Sequence, residues 1–375
     1  MLKNLVNTFI FIRQRLYFDA ALSITIMALL LIGIIMVAST TSVVGASTFG
    51  DGFYHLKRHL IFMVLGIGLF MVGNITDHQV YKKWVMPGFF GSLAVLSLTL
   101  IPGVGTKLGG AQRWINLGFF QFQPVELMKF FITVFLASAL THKASKIDRF
   151  SKGVAPILMM VCLPILVLSQ QPDLGNIILI VMVTFSLLFV ANIPVKHLLT
   201  FAATALTGIV TSIALYPYQL ERIKIFLDPW ADPLGRSYHI IQSYTAIGSG
   251  GILGHGFGQS KLKFFYLPLH YSDFIFSIIC EEGGLIFASI VVLLFLNLLF
   301  QGFRISREAT APFSSYLAVG LTLFLCIQAC LNIGVVIGLF PITGIPLTFI
   351  SYGGTSLVVS LFSCGVLMNI AKGNR

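Results

Sequence analysis

Few residues in this chain are ionisable, and several of those stand at the edge of long apolar runs. Asp273, after Ser272, closes a Gly-rich stretch and opens such a run. A carboxylate there can act as a general base on an attacking hydroxyl, a step typically worth about 10²–10⁴-fold in rate. Position alone equally allows a helix N-terminal anion. In Gln123-Pro124-Val125-Glu126-Leu127-Met128-Lys129, proline suits a first helical turn and the i,i+3 spacing puts Glu126 and Lys129 on one face. An ion pair would neutralise both, so a structural role leads and a substrate contact comes second. Asp173, in Gln170-Gln171-Pro172-Asp173, sits where a helix dipole favours an anion, and again the structural role leads. Glu281 and Glu282 lie two turns beyond Asp273. The glycines of Gly248-Ser249-Gly250-Gly251 and Gly254-His255-Gly256-Phe257-Gly258 permit tight turns and close backbone approach, a weak signal for a phosphate cradle.

The elements that carry these residues are set by composition. With 57% hydrophobic and 10% charged residues, the chain has too little polar surface to cover a water-soluble globule of 375 residues. Apolar runs at 20–43, 59–76, 86–102, 124–141, 154–169, 174–193, 197–216, 274–301, 312–338 and 346–370 each approach the ~20 residues that span a bilayer. The expected fold is therefore all-α, a polytopic integral membrane protein of about ten transmembrane helices in a single domain, 1–375. The first run follows Lys3, Arg13 and Arg15, continues past signal-peptide length and is read as a retained span. Two stretches are long, 103–123 and, between spans seven and eight, 217–273.

Charge gives an orientation. Lys82, Lys83, Lys143, Lys146, Arg149, Lys152, Lys196, Arg304, Arg307, Lys372 and Arg375 fall on alternate connections, which predicts both termini in the cytoplasm and the long stretch outside. The net charge of +11 is scattered over short loops and forms no nucleic-acid surface. Outer connections also hold Lys57, Arg58, Lys107, Arg113, Arg222, Lys224, Arg236, Lys261 and Lys263, which orientation does not explain. Any carboxylate or ammonium within the bilayer costs about 2.5–3.5 kcal/mol on insertion scales, so the charged residues above should face the bundle interior or an aqueous cavity. Cys162, Cys280, Cys326, Cys330 and Cys364 lie in or beside apolar runs without metal-type spacing, and neither disulfides nor a cysteine-bound metal is expected.

Motifs along nearly the whole chain, from about residue 20 to 370, resemble the SEDS (FtsW/RodA) family. Gly110-Ala111-Gln112-Arg113-Trp114-Ile115 and Phe122-Gln123-Pro124-Val125-Glu126-Leu127-Met128-Lys129 are similar to its GAxRWI and FQPSELxK signatures. Gln171-Pro172-Asp173-Leu174-Gly175 is similar to QPDxG. Leu227-Asp228-Pro229-Trp230-Ala231-Asp232-Pro233, Gln242-Ser243 and Ala246-Ile247-Gly248-Ser249-Gly250-Gly251 resemble its fourth outer loop. Pro341-Ile342-Thr343-Gly344-Ile345-Pro346-Leu347 and Ile350-Ser351-Tyr352-Gly353-Gly354-Thr355-Ser356 resemble its final motif. Departures are Val125 for Ser, His59 for the usual Gln after Arg58, and Leu267-Pro268-Leu269-His270-Tyr271-Ser272-Asp273-Phe274 for LPExHTDF. The last removes the loop's usual glutamate and leaves His270 one place early, while the aspartate remains.

The resemblance implies a peptidoglycan glycosyltransferase that polymerises lipid II at the outer face of the cytoplasmic (inner) membrane, with undecaprenyl diphosphate leaving. It implies Asp273 as base and substrate contacts from Arg58, Arg113, Glu126, Lys129, Asp173, Gln242, Ser249, Ser351 and Tyr352, with Arg58, Arg113 and Lys129 the leading cations for the pyrophosphate. No cofactor is certain; a divalent cation at the pyrophosphate is the candidate. Implied partners are a class B penicillin-binding protein, lipid II and the growing glycan, membrane lipids and other divisome proteins. The compact stretch Gly258–Pro268 resembles the division (FtsW-like) type more than the elongation (RodA-like) type. The rival readings are a lipid II flippase, which needs polar cavities open to both faces, and a scaffold, which tolerates neutralised outer acids.

Overall fold

A chain in lipid has to satisfy its own backbone, and helices do so segment by segment. The computed structural model describes residues 16–108, 111–118, 120–260 and 272–373. Lys3, Arg13, Arg15, Gly110, Lys261, Lys263, His270 and its neighbours 267–271, and Arg375 lie outside the described residues, as does the side chain of Lys107. The helices are α1 (Ala20–Phe49), α2 (Tyr54–Ile75), α3 (Val85–Leu98), α4 (Pro124–Lys143), α5 (Val154–Gln170), α6 (Leu174–Val190) and α7 (Val195–Leu215), followed by two in the long outer stretch, α8 (Pro217–Leu227) and α9 (Tyr238–Gly250), and then α10 (Ile275–Glu308), α11 (Pro312–Val336) and α12 (Gly354–Gly373). Among the described residues seven of these are long and apolar enough to cross a membrane, and three more, α3, α5 and α6, are shorter apolar helices. These correspond one for one to the ten expected spans.

Two expectations need correction. The last span begins at Gly354, not 346, because residues 339–353 run as non-helical chain that places Ile345, Leu347 and Ile350 in the core. Pro341 and Pro346 cannot donate helical hydrogen bonds, and Phe349 takes a left-handed φ of 65° that breaks a right-handed turn. Irregular backbone at this depth survives only where protein surrounds it. The stretch 103–123, read as loop, folds into a small antiparallel sheet of β1 (Gly105–Leu108), β2 (Ala111–Asn116) and β3 (Gln121–Phe122) in the order β1-β2-β3. The fold is otherwise all-α as expected.

α11 forms the centre of the bundle, with 83% of its most apolar stretch buried, whereas α7 has 11% and presents Leu199, Leu206, Val210 and Leu215 outward. Such a row of exposed large aliphatics suits lipid and would aggregate in water. α12 lies along α2 at backbone contact: a Cβ at Gly73 would come within 2.8 Å of the Phe362 carbonyl, and one at Gly365 would collide with that of Phe70. Small residues that let helix backbones meet are the usual packing device in membranes, where burial from water supplies no drive. α10 is broken at Gly284 (φ 66°), and the strap 251–256 repairs the break through His255 N to Glu281 O, 3.0 Å, and Leu285 N to Gly251 O, 2.9 Å.

Candidate active site

Four connections meet at one end of the bundle, each separated from the next by two apolar helices. From β2 comes Arg113. Thr106 pairs with Trp114 and Lys107 with Gln112, so Arg113 is the extra residue of a β-bulge. A bulge turns a side chain out of the alternating pattern. Here it sends Arg113 to the start of α6, where Nη2 donates to Pro172 O at 2.7 Å and Nε stands 3.5 Å from Asp173 Oδ2. Asp173 is the N-cap of α6, accepting from Asn176 N (3.3 Å) and Asn176 Nδ2 (2.9 Å), with its side chain 1% exposed.

From α8 comes Arg222, whose Nη1 donates to Ile342 O at 3.0 Å and whose guanidinium lies 4.5 Å over the Tyr218 ring and bonds its hydroxyl. The connection before α12 supplies Gly344, with φ +73°. A Cβ at Gly344 would lie 3.4 Å from Arg113 Nη1, 3.8 Å from Asp273 Oδ2 and 4.0 Å from Arg222 Nη2. The left-handed backbone favours glycine here, and the three charged tips meet around it.

Asp273 stands just before α10, partly open at its surface but seated deeply enough for burial to dominate its proton affinity. Burial pushes its carboxyl above the ordinary carboxylate range; Arg222, then Arg113 and the Ser272 hydroxyl, pull it back. Arg222 is in turn pulled down by burial and held up by Tyr218, Asp173 and Asp273, and its guanidinium remains a cation at any physiological pH. A carboxylate with raised proton affinity beside two guanidiniums can remove a proton from a hydroxyl while the cations hold an anionic leaving group.

The other expected site residues divide. Ser351 donates to Ser272 O at 2.5 Å and accepts from Leu347 N at 2.9 Å, so it holds the backbone beside Asp273. Tyr352 lies edge-on to His55, ring centroids 5.2 Å apart. Arg58 bonds Tyr54 OH at 3.1 Å and lies 5.5 Å over that ring; the cations whose charge acts on Asp273 are Arg222 and Arg113. Lys129 is buried, 2.7 Å from Glu126 Oε1 and 2.6 Å from Gln328 Oε1. A cavity of about 20 Å³ adjoins this pair, room for a water but not for a sugar. Gln242 is half-buried on α9, and Ser249 is exposed and donates to Ala246 O. No hydrogen bond or ion pair among the described residues joins either to Asp273.

Glu281 and Glu282 are buried, accepting from Ser260 and, for Glu282, from Ser39 at 2.7 Å. Arg222, Gly344, Gln328 and Asn332 join the site without having been singled out for it. Arg222 stood among the unexplained outer cations, and its spacing from Tyr218 was the one available signal. No group of three metal-ligating side chains that could hold an ion occurs among the described residues.

A bundle of ten apolar helices with a carboxylate and two guanidiniums gathered at one end defines the class, a polytopic membrane protein with a charged site at one end of its helices. The chain belongs to the FtsW/RodA/SpoVE family of cell cycle proteins, whose model matches residues 20–375. It is 39% identical over 354 residues to a probable peptidoglycan glycosyltransferase FtsW of Geobacter sulfurreducens, covering 94% of this chain and 95% of that one. To stage V sporulation protein E of Bacillus subtilis it is 41% identical over 358 residues, covering 95% and 98%. Among solved structures it is similar to a chain of a peptidoglycan synthase complex that coordinates polymerization and crosslinking, with TM-score 0.78, 28% identity and coverage of 95% and 98%. Rod shape determining protein RodA of Thermus thermophilus matches with TM-score 0.71, 25% identity and coverage of 95% and 97%.

Proposed function

We propose that this chain is a peptidoglycan glycosyltransferase that polymerises lipid II at the outer face of the cytoplasmic membrane, with septal wall synthesis its role. Relatives called probable peptidoglycan glycosyltransferase align with 94–95% of the chain, which supports the activity, and their being called FtsW supports the division role over elongation. The observation that carries the mechanism is the meeting of Asp273, Arg113 and Arg222 around Gly344. Asp273 takes the proton of the acceptor sugar hydroxyl as its oxygen attacks the anomeric carbon of the donor. The C–O bond to the pyrophosphate breaks, and Arg113 and Arg222 receive the charge that develops on the leaving oxygens. Asp173 holds Arg113 in place. The cationic connections Lys82/Lys83, Lys143–Lys152 and Arg304–Arg307 lie at the ends of helices away from this site, which supports an outward-facing site and cytoplasmic termini. A class B penicillin-binding protein as partner is supported by the synthase complex to which the chain is similar.

The test is lipid II polymerisation by Asp273→Asn, which keeps the shape and removes the base. Loss of about 10²–10⁴-fold in rate is expected of folded protein. Polymerisation near the unaltered rate would end the assignment.

A further inference from the structure

Two buried carboxamides, Gln328 and Asn332, stand one turn apart on α11 and face the segment that carries Gly344. We propose that Asn332 is a positioning residue for the glycosyl transfer: its amide fastens Asp273 to the Gly344 turn and so sets the base against the two guanidiniums. The proposal rests on reading Asp273 as the base.

Asn332 Nδ2 donates to Asp273 O at 2.8 Å and to Ile345 O at 2.8 Å. A primary amide nitrogen has two hydrogens, and both are used. The amide's orientation is fixed, since a flip would aim Oδ1 at two carbonyl oxygens. Ile345 follows Gly344, and Arg222 grips Ile342 O three residues before it. The backbone of the base, the glycine turn and one guanidinium thus belong to a single hydrogen-bonded frame. Gln328 holds the same turn from the next residue, donating to Pro346 O at 3.1 Å and to Ser356 Oγ at 3.2 Å while its Oε1 accepts from Lys129. Through that last bond the Glu126–Lys129 pair anchors the frame one layer further in. Asn332 is 2% exposed and acts on the reaction through the placement of Asp273 against the Gly344 turn. A misplacement of about 1 Å in a reacting group costs on the order of 10²-fold, so small slack in this frame is expensive.

The experiment is a double-substitution cycle on the full chain with lipid II as probe, rates expressed per folded molecule. Asn332→Leu, which keeps the branching of the side chain and removes its donor, is expected to lower kcat by about 100-fold and leave KM nearly unchanged. Asn332→Ser, which keeps one donor, should fall between; it decides the matter where Asn332→Leu does not fold. In an Asp273→Asn background neither substitution should lower the residual rate further, because the group they position has lost its function. A wild-type kcat in both Asn332 variants, or losses that multiply with that of Asp273→Asn, would overturn the proposal and leave Asn332 a packing residue. If Asp273→Asn itself polymerises normally, the base assignment falls first, so the two failures are distinguishable.

Discussion

Removing one member of the Glu126–Lys129 pair should harm the protein more than removing both. The two charges are 2.7 Å apart with side chains 4% and 6% exposed. At an effective dielectric constant of ~20 their attraction is roughly 6 kcal/mol, and it is offset by several kcal/mol of desolvation for each ion. The net worth of the pair is therefore small, but the cost of stranding one charge is about 3–5 kcal/mol. Glu126→Gln leaves the Lys129 ammonium with neutral carbonyl acceptors and no counter-charge; Lys129→Met leaves the Glu126 carboxylate with no cation and Gln328 Oε1 without its donor. In the double variant no buried charge remains. Thermal melting in lipid nanodiscs should place both single variants well below wild type and the double at or above either single. The coupling should approach the upper part of the ~0.5–3 kcal/mol range seen for residues in contact. If the two losses simply add, the pair is not a unit, and its role as anchor for Gln328 is wrong.

A second expectation concerns pH. The base must be deprotonated, and burial raises the proton affinity of Asp273, so kcat/KM should fall on the acid side through a pKa above the ordinary value of 3.8. Arg222 is the largest influence pulling it back, so Arg222→Gln should move that acid limb to higher pH; an unmoved limb in a folded variant would refute the contact. Orientation is open to labelling. Lys224→Cys, exposed on α8, should react with an impermeant maleimide in intact cells and Lys146→Cys should not; the reverse would place the site on the cytoplasmic side.

The ten apolar helices were legible because lipid demands long unbroken apolar runs, and the Glu126–Lys129 pair because its i,i+3 spacing is local. What was not legible is tertiary. Arg113 reaches Asp173 only through a bulge, set by how β1 and β2 pair and not by any residue within β2. Gly344 and Arg222 are separated by three helices, α9, α10 and α11, and nothing in either segment shows that they meet. The non-helical segment 339–353 is apolar enough to pass for the start of a span, and only its prolines hinted otherwise. Lys129 was a reasonable cation for the pyrophosphate by position, but its bonds to Glu126 and Gln328 engage it elsewhere.

The site contains two aspartates, and their partners decide how many can take part. Two carboxylates flanking a glycosidic bond can serve as acid and base, as in the hydrolases. Asp173 cannot easily take the second role, because both its oxygens accept from Asn176 and one also faces Arg113 in an almost closed site. Nor is an acid needed: a pyrophosphate flanked by guanidiniums leaves without protonation, whereas a sugar alkoxide would not. Among the described residues the Asp273 carboxyl has no such commitments beyond Ser272 and the nearby cations, and its raised proton affinity suits it to accept a proton at neutral pH. The geometry thus supports a one-base displacement, with the acceptor hydroxyl attacking opposite the departing pyrophosphate and the anomeric centre inverting.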